Sequence, residues 1–142
     1  MPANNHSVGR DVTLDITDPN GPVRFATITS FDAKPITAKN TIKAITGIIY
    51  HQAFPDGWSG TISIERQNNS ADAYFAQREA DYYAGRNLPP ARIMETIRES
   101  DGSLSRYRYE GVVLIMDDAG NKQADKSISM KMSWMAARRI KV

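Results

Sequence analysis

The chain has 142 residues, of which 41% are hydrophobic and 24% charged, and its 18 basic and 16 acidic side chains leave a net charge of +2. These values describe one globular domain, 1–142, with roughly two-thirds of its unfolded surface available for burial, and they exclude wholesale disorder. Cysteine is absent, which excludes disulfides and thiolate zinc sites, and no apolar run approaches the ~20 residues of a membrane helix.

Residues 1–9 read as a flexible polar arm without the charged and apolar regions of a secretory signal, so synthesis in a cytoplasm is expected. Val12, Leu14 and Ile16 alternate with Asp11, Thr13, Asp15 and Thr17, the period of a half-buried strand. The turn-rich Asp18-Pro19-Asn20-Gly21-Pro22 leads into a second strand from about Val23 to Ala33, and the two read as a β-hairpin. Residues 34–56 carry Thr37, Lys39, Thr41 and Lys43 against Ile36, Ala38, Ile42 and Ile45, without one clean face. They fit either a long loop or a projecting hairpin, with apolar side chains that lack a partner within the chain.

Trp58 to Arg66 alternates again, with Ile62 and Ile64 inward. Ser70 is the expected N-cap of a helix whose stripe is Ala71, Tyr74, Phe75 and Tyr82, and Gly85 followed by Pro89-Pro90 ends it. Strands follow at Ala91–Glu99 and Leu104–Met116, joined by Asp101-Gly102, and at Ala124–Ala136 after the turn Asp117–Asn121. On the last strand Ile128, Met130, Met132 and Trp134 alternate with Ser127, Ser129, Lys131 and Ser133. The expected core is therefore Ile62, Ile64, Phe75, Ile128, Met130, Met132 and Trp134. The fold class is mainly β: an antiparallel sandwich or barrel of about six strands with one flanking helix.

Catalytic chemistry finds no support. No Gly-x-Ser-x-Gly elbow, glycine-rich phosphate loop or paired-histidine zinc motif is present. His6 lies in the arm and His51 in the 34–56 segment; Asp117-Asp118 reads as a turn. Glu95 and Glu110 are the nearest approach to an acid–base pair, and cross-strand partnership with Arg92, Arg106 or Arg108 is the simpler reading. No catalytic, cofactor-binding or metal-binding residue is assigned, and no enzyme activity or cofactor is expected. Tyr107-Arg108-Tyr109 beside Arg106 superficially suits a small barrel that stacks single-stranded nucleic acid, but the tyrosines and arginines face opposite ways. Arg138-Arg139-Ile140-Lys141 reads as a solvated tail. Long strands with unprotected edges favour self-association instead.

The order of several motifs resembles the tail tube proteins of contractile-tailed bacteriophages. These are Gly57-Trp58-Ser59-Gly60-Thr61, the helix end Ala80-Asp81-Tyr82-Tyr83-Ala84-Gly85, and Asn87-Leu88-Pro89-Pro90. They continue with Asp101-Gly102-Ser103, Tyr107 to Leu114, Asp117-Asp118-Ala119-Gly120, and the ending Ala137 to Val142. The resemblance spans roughly residues 8–142 and implies a structural subunit. Its copies would form hexameric rings that stack into a tube with a continuous inner β-barrel, the helix lying outside. It further implies sheath, baseplate, tail-terminator and tape-measure partners, a place in the virion tail, and passage of DNA without specific binding or membrane contact. A type VI secretion-like tube protein is the related alternative. On this reading Ile36, Ile42, Ile45, Ile48, Ile49, Tyr50 and Phe54 are the expected inter-ring contact. Ser127, Ser129, Lys131 and Ser133 suit the lumen.

Overall fold

The computed structural model describes His6 and residues 8–25 and 27–142, with the side chains of Arg10 and Thr27 left out. Much of the expected arm, residues 1–5 and Ser7, lies outside the described residues; Gly9–Asp11 forms a single 3-10 turn. Eight strands and one helix follow: β1 (Val12–Asp18), β2 (Gly21–Val23), β3 (Thr27–Lys43), β4 (Ile49–Glu65), α1 (Ser70–Tyr83), β5 (Ala91–Arg98), β6 (Leu104–Asp118), β7 (Ser129–Ala136) and β8 (Arg138–Lys141). They form one antiparallel sheet in the order β2-β1-β5-β6-β7-β4-β3, with β8 also paired to β6.

The sheet folds over at a corner. The first half of β6 pairs with β5 on one side and β8 on the other, whereas Val113 to Asp118 pair only with β7. Gly111 makes the bend at φ +65°, a conformation that disfavours side chains. The neighbouring strand turns at Ala137, whose N–H donates to Glu110 O at 2.8 Å, and continues as β8. Two strands thus change layers together, a known way of making a sandwich corner.

The buried cluster lies between the layers and includes Ile16, Ile93 and Tyr109 from one, and Ile62, Ile64, Met130, Met132 and Trp134 from the other. Phe31 stacks on Trp134 at 5.5 Å between centroids, and Tyr109 meets Trp134 edge-on at 4.9 Å. β3 is able to approach so closely because position 60 is glycine. A Cβ there would lie 1.8 Å from Asp32 O and 2.8 Å from Trp134 Cε2. Helix α1 buries Ala71 and packs Tyr74 and Phe75 against the cluster, with Tyr74 edge-on to Phe25 at 6.1 Å. Its C-terminus closes with Gly85 N–H on Tyr82 O and Arg86 N–H on Asp81 O, the paired bonds of a Schellman end with Gly85 at φ +73°. No helix among the described residues is long and apolar enough to cross a membrane.

Several expectations are corrected. β1 does not form a hairpin with 23–33: only Gly21–Val23 pairs with it, and its main partner is β5. The segment from Thr27 instead pairs along its length with β4. The strand expected from Ala124 begins at Ser129. Before it, Gly120 at φ +105° gives its N–H to Asp118 Oδ1, and Lys126 N–H bonds Gln123 O, so the backbone groups are used in turns. Asn69, not Ser70, is the N-cap, and Tyr82 is two-thirds exposed, at 66%. The C-terminal basic run is not a solvated tail but strand β8, whose bonds to β6 use its backbone. Gly21–Val23 and Arg138–Lys141 raise the strand number from about six to eight.

Substituting Gly60 by Ala will lower stability by about 3 kcal/mol through overpacking against backbone, a contact that no rotamer change relieves. Urea denaturation followed by tryptophan fluorescence measures it; an unchanged midpoint would show that β3 tolerates displacement from Trp134.

Candidate assembly surface

Residues 34–56 belong to the long hairpin of β3 and β4, each strand having 17 residues. Gly47 closes its tip at φ +89°, with Gly47 N–H on Ala44 O and Ala44 N–H on Ile48 O. The irregularity between Pro35 and Thr37 separates a basal half, paired to β7 through β4, from a distal half that pairs only with itself. At about 3.3 Å per residue the distal half reaches some 25 Å from the body. Opposed residues share a face, so Ala38/Phe54, Asn40/Gln52 and Ile42/Tyr50 stand on one side. Lys39/Ala53, Thr41/His51 and Lys43/Ile49 stand on the other. Asn40 Nδ2 donates to Gln52 Oε1 at 3.0 Å, and His51 Nδ1 lies 3.4 Å from Thr41 Oγ1. Of the expected inter-ring residues, Ile42, Ile45, Ile48, Ile49, Tyr50 and Phe54 are exposed and Ile36 is half-buried; none belongs to the buried cluster.

The basal half of the hairpin joins β7 and the end of β6 in a four-stranded block, β3-β4-β7-β6. Its inner face carries Ile62, Ile64, Met130, Met132 and Trp134, all buried. Phe75 and Ile128, also expected in the core, are half-buried against it. Its outer face carries Ser59, Thr61, Ser63 and Glu65 on β4 and Ser129, Lys131, Ser133 and Met135 on β7. Ser127 lies before β7 and is exposed. Ser129 Oγ donates to Glu65 Oε1 at 2.6 Å and Ser133 Oγ donates to Asp117. The Ser129 hydroxyl first, and Ser127 second, hold the Glu65 carboxyl below its ordinary range. Lys131 opposes Ser63 on one side and Asp118 on the other.

Among the described residues no further strand lies on either margin of this block: β3 pairs with β4, and Val113 to Asp118 pair with β7. β5 does not extend beside Val113, because Pro89 and Pro90 precede Ala91 and lack the N–H that a ladder needs. Val113 and Ile115 on this margin are exposed, at 45% each. They are the outer half of the apolar run Val112 to Met116, the one sequence signal that marked the margin. The two carboxylates that the sequence brought closest to an acid–base pair are each partnered by an arginine. Glu95 is buried 3.6 Å from Arg139, not from Arg92 or Arg106, while Glu110 holds Arg108 at 2.9 Å. The Arg139 guanidinium lies over the rings of Tyr107 at 3.7 Å and Trp58 at 4.9 Å. It anchors β8 to the core, a role the sequence reading missed. Tyr109 is fully buried, so the Tyr107-Arg108-Tyr109 stretch presents no stacking platform. No cluster suited to a metal ion occurs among the described residues.

No family model matches the chain, and no curated protein matches it in sequence. Its fold does match solved structures. A chain of the anti-feeding prophage cap that terminates the tube is similar with a TM-score of 0.67 at 11% identity, over 100% of this chain and 94% of that one. A chain from the sheath–tube complex of an extracellular contractile injection system, PVC, in its extended state gives 0.58 at 10% identity, covering 91% and 87%. One from the sheath/tube terminator of the same system gives 0.55 at 10%, covering 91% and 92%. The chain therefore has the tail-tube-like β fold of contractile injection machines.

Burial first, and the charge of Glu95 second, push the Tyr109 phenol from its ordinary value near 10 to about 12. The unfolded chain then loses this proton at lower pH than the folded one, so folded stability is full below about pH 10 and falls as pH rises toward 12. Tyr109→Phe will flatten that alkaline loss in urea midpoints measured from pH 9 to 12; an identical slope would assign the loss to other tyrosines.

Proposed function

We propose that this chain is a non-enzymatic structural subunit of the tube in a contractile tail or injection machine. Copies join edge to edge into a ring, and rings stack into a hollow shaft. The single observation that carries this reading is the four-stranded block with two open margins. Because the block has an even number of antiparallel strands, β3 of one copy and β6 of the next run antiparallel, and head-to-tail addition repeats without limit or closes. With the helix and core outside, the hydroxyl-rich outer face of β4 and β7 lines the lumen. Asp32, Glu65, Asp117 and Asp118 there outnumber Lys34 and Lys131, so no basic stripe holds a polyanion. A channel of that kind passes its cargo, DNA in a phage tail, without retaining it.

The hairpin tip supplies the stacking contact. Ile42, Tyr50 and Phe54 share one half-exposed face whose only neighbours are across the same hairpin, and covering what remains exposed against the neighbouring ring stabilises the stack by about 1 kcal/mol per large side chain. Six copies per ring, a sheath around the tube, a baseplate below, a terminator above and a tape-measure protein within complete the assembly, located in the tail of a virion or a virion-like particle. The likeness to a tube-terminating cap favours a second reading, in which the ring ends a tube instead of lengthening it.

Negative-stain microscopy of the concentrated protein separates these. A tube subunit gives tubes of variable length; a terminator gives rings that stop growing; a protein solitary at every concentration refutes both. Replacing Ile42, Tyr50 and Phe54 together by Ser will abolish tubes while leaving thermal melting within a few degrees of the parent. Tubes of normal length from this variant would place the stacking contact elsewhere.

A further inference from the structure

We infer that the seam between neighbouring copies has one register, in which Lys34 of β3 lies opposite Asp117 of the next copy's β6 and Ile36 lies opposite its Ile115. This rests on the ring reading above and adds the residues that set it.

Within one chain, Val113, Met135, Ser59 and Lys34 form a row across the block. If the next copy continued that row without offset, the strands would stand parallel to the ring axis. Closed barrels instead tilt their strands by about 35–45°. The offset must be an even number of residues, since an odd one would turn core side chains outward. With a rise of about 3.3 Å per residue and about 4.8 Å between strands, an offset of two residues over four strands gives a tilt of about 19°. Four residues give about 35°, and six about 46°.

The hand of the offset follows from one hydrogen bond. Arg66 N–H donates to Ile128 O at 2.8 Å, extending the β4–β7 ladder by a pair. Even-numbered residues of β4 therefore direct their backbone groups toward β7, and the same residues, Ile62 and Ile64, point into the core. For L residues this fixes the view from the core side: with β6 at the left, β6 runs downward and β7, β4 and β3 follow to the right. Right-handed strand tilt then carries each row downward, so Lys34 meets the next β6 beyond Val113, toward Asp117.

Side chains choose among the allowed offsets. Two residues would set Asp32 against Asp117, a like-charge pair. Six would set Ile36 against Asp117. Four sets Lys34 against Asp117, Ile36 against the exposed Ile115, and Ala38 against the exposed Val113. Lys34 is 74% exposed and held only by an exposed contact to Asp32 at 3.6 Å, so its ammonium is free to cross the seam.

The chain has no cysteine, so introduced pairs report cleanly. Directly opposed positions lie about 4.5–5.5 Å apart, within disulfide reach, and diagonal ones about 7–8 Å apart, beyond it. Assembled full-length I36C/I115C, oxidised with diamide, should give a ladder of covalent multimers on a non-reducing gel, and I36C/V113C should not. In parallel, K34D and D117K should each raise the concentration needed for assembly by about fivefold, and K34D/D117K should restore it, with unchanged thermal melting in all three. A ladder from I36C/V113C, or from neither pair in particles that still form, overturns this register and leaves the ring reading standing. A chain that remains solitary by sedimentation removes the ring reading and the register with it.

Discussion

A β-strand with no neighbour leaves every second N–H and C=O directed at water, and the arrangement of this molecule follows from where it leaves such strands. Among the described residues no strand pairs with the outer margin of β3 or with that of β6 after Gly111. Each backbone bond made across a seam contributes only about 0.5–1.5 kcal/mol net, because water is displaced from both groups. The proposed seam would make several, donated alternately by the two strands, with Pro35 able to accept there but not to donate, and the flanking structure leaves room beside both margins. Pro89 and Pro90 stop β5 from covering Val113, and the corner at Gly111 and Ala137 takes β8 away into the other layer.

The same block divides its two faces between different solvents. Its inner face is built from large buried side chains, with Trp134 stacked on Phe31 and met edge-on by Tyr109, and with Gly60 permitting the approach of β3. Its outer face is mostly Ser and Thr with scattered charges of both signs. A rigid core behind a hydroxyl-rich surface suits a wall, since the strands hold their curvature while the exposed side chains make only weak, short contacts. The distal hairpin is the exception: it leaves that wall, has no core beneath it, and keeps apolar side chains in water. Those side chains are costly for a solitary chain and useful only to one that meets another surface.

Where alternation was strict, the sequence was readable. Ile62, Ile64, Met130, Met132 and Trp134 announced a buried face by period two, and all are buried. Gly85 and Asp101-Gly102 announced their turns by residue type, with positive φ at both glycines. Strand partners were not readable, because pairing is a contact between distant segments. β1 and residues 23–33 look like a hairpin locally, yet the strand from Thr27 gains a far longer ladder with β4. Arg138 to Lys141 looked like a solvated run because nothing local reveals that Arg139 lies over Tyr107 and Trp58 and faces Glu95.

By itself the sequence determined which side chains of the strictly alternating strands turn inward, where several of the turns lie, that one helix interrupts a series of strands, and that the 34–56 segment holds apolar groups outside any clean buried face. These are consequences of side-chain chemistry acting over a few neighbouring residues. Tertiary structure alone decided strand order, the corner, and which strand margins stay open. Those depend on hydrogen bonds between segments tens of residues apart, and a strand has the same local pattern whether its edge is covered or free.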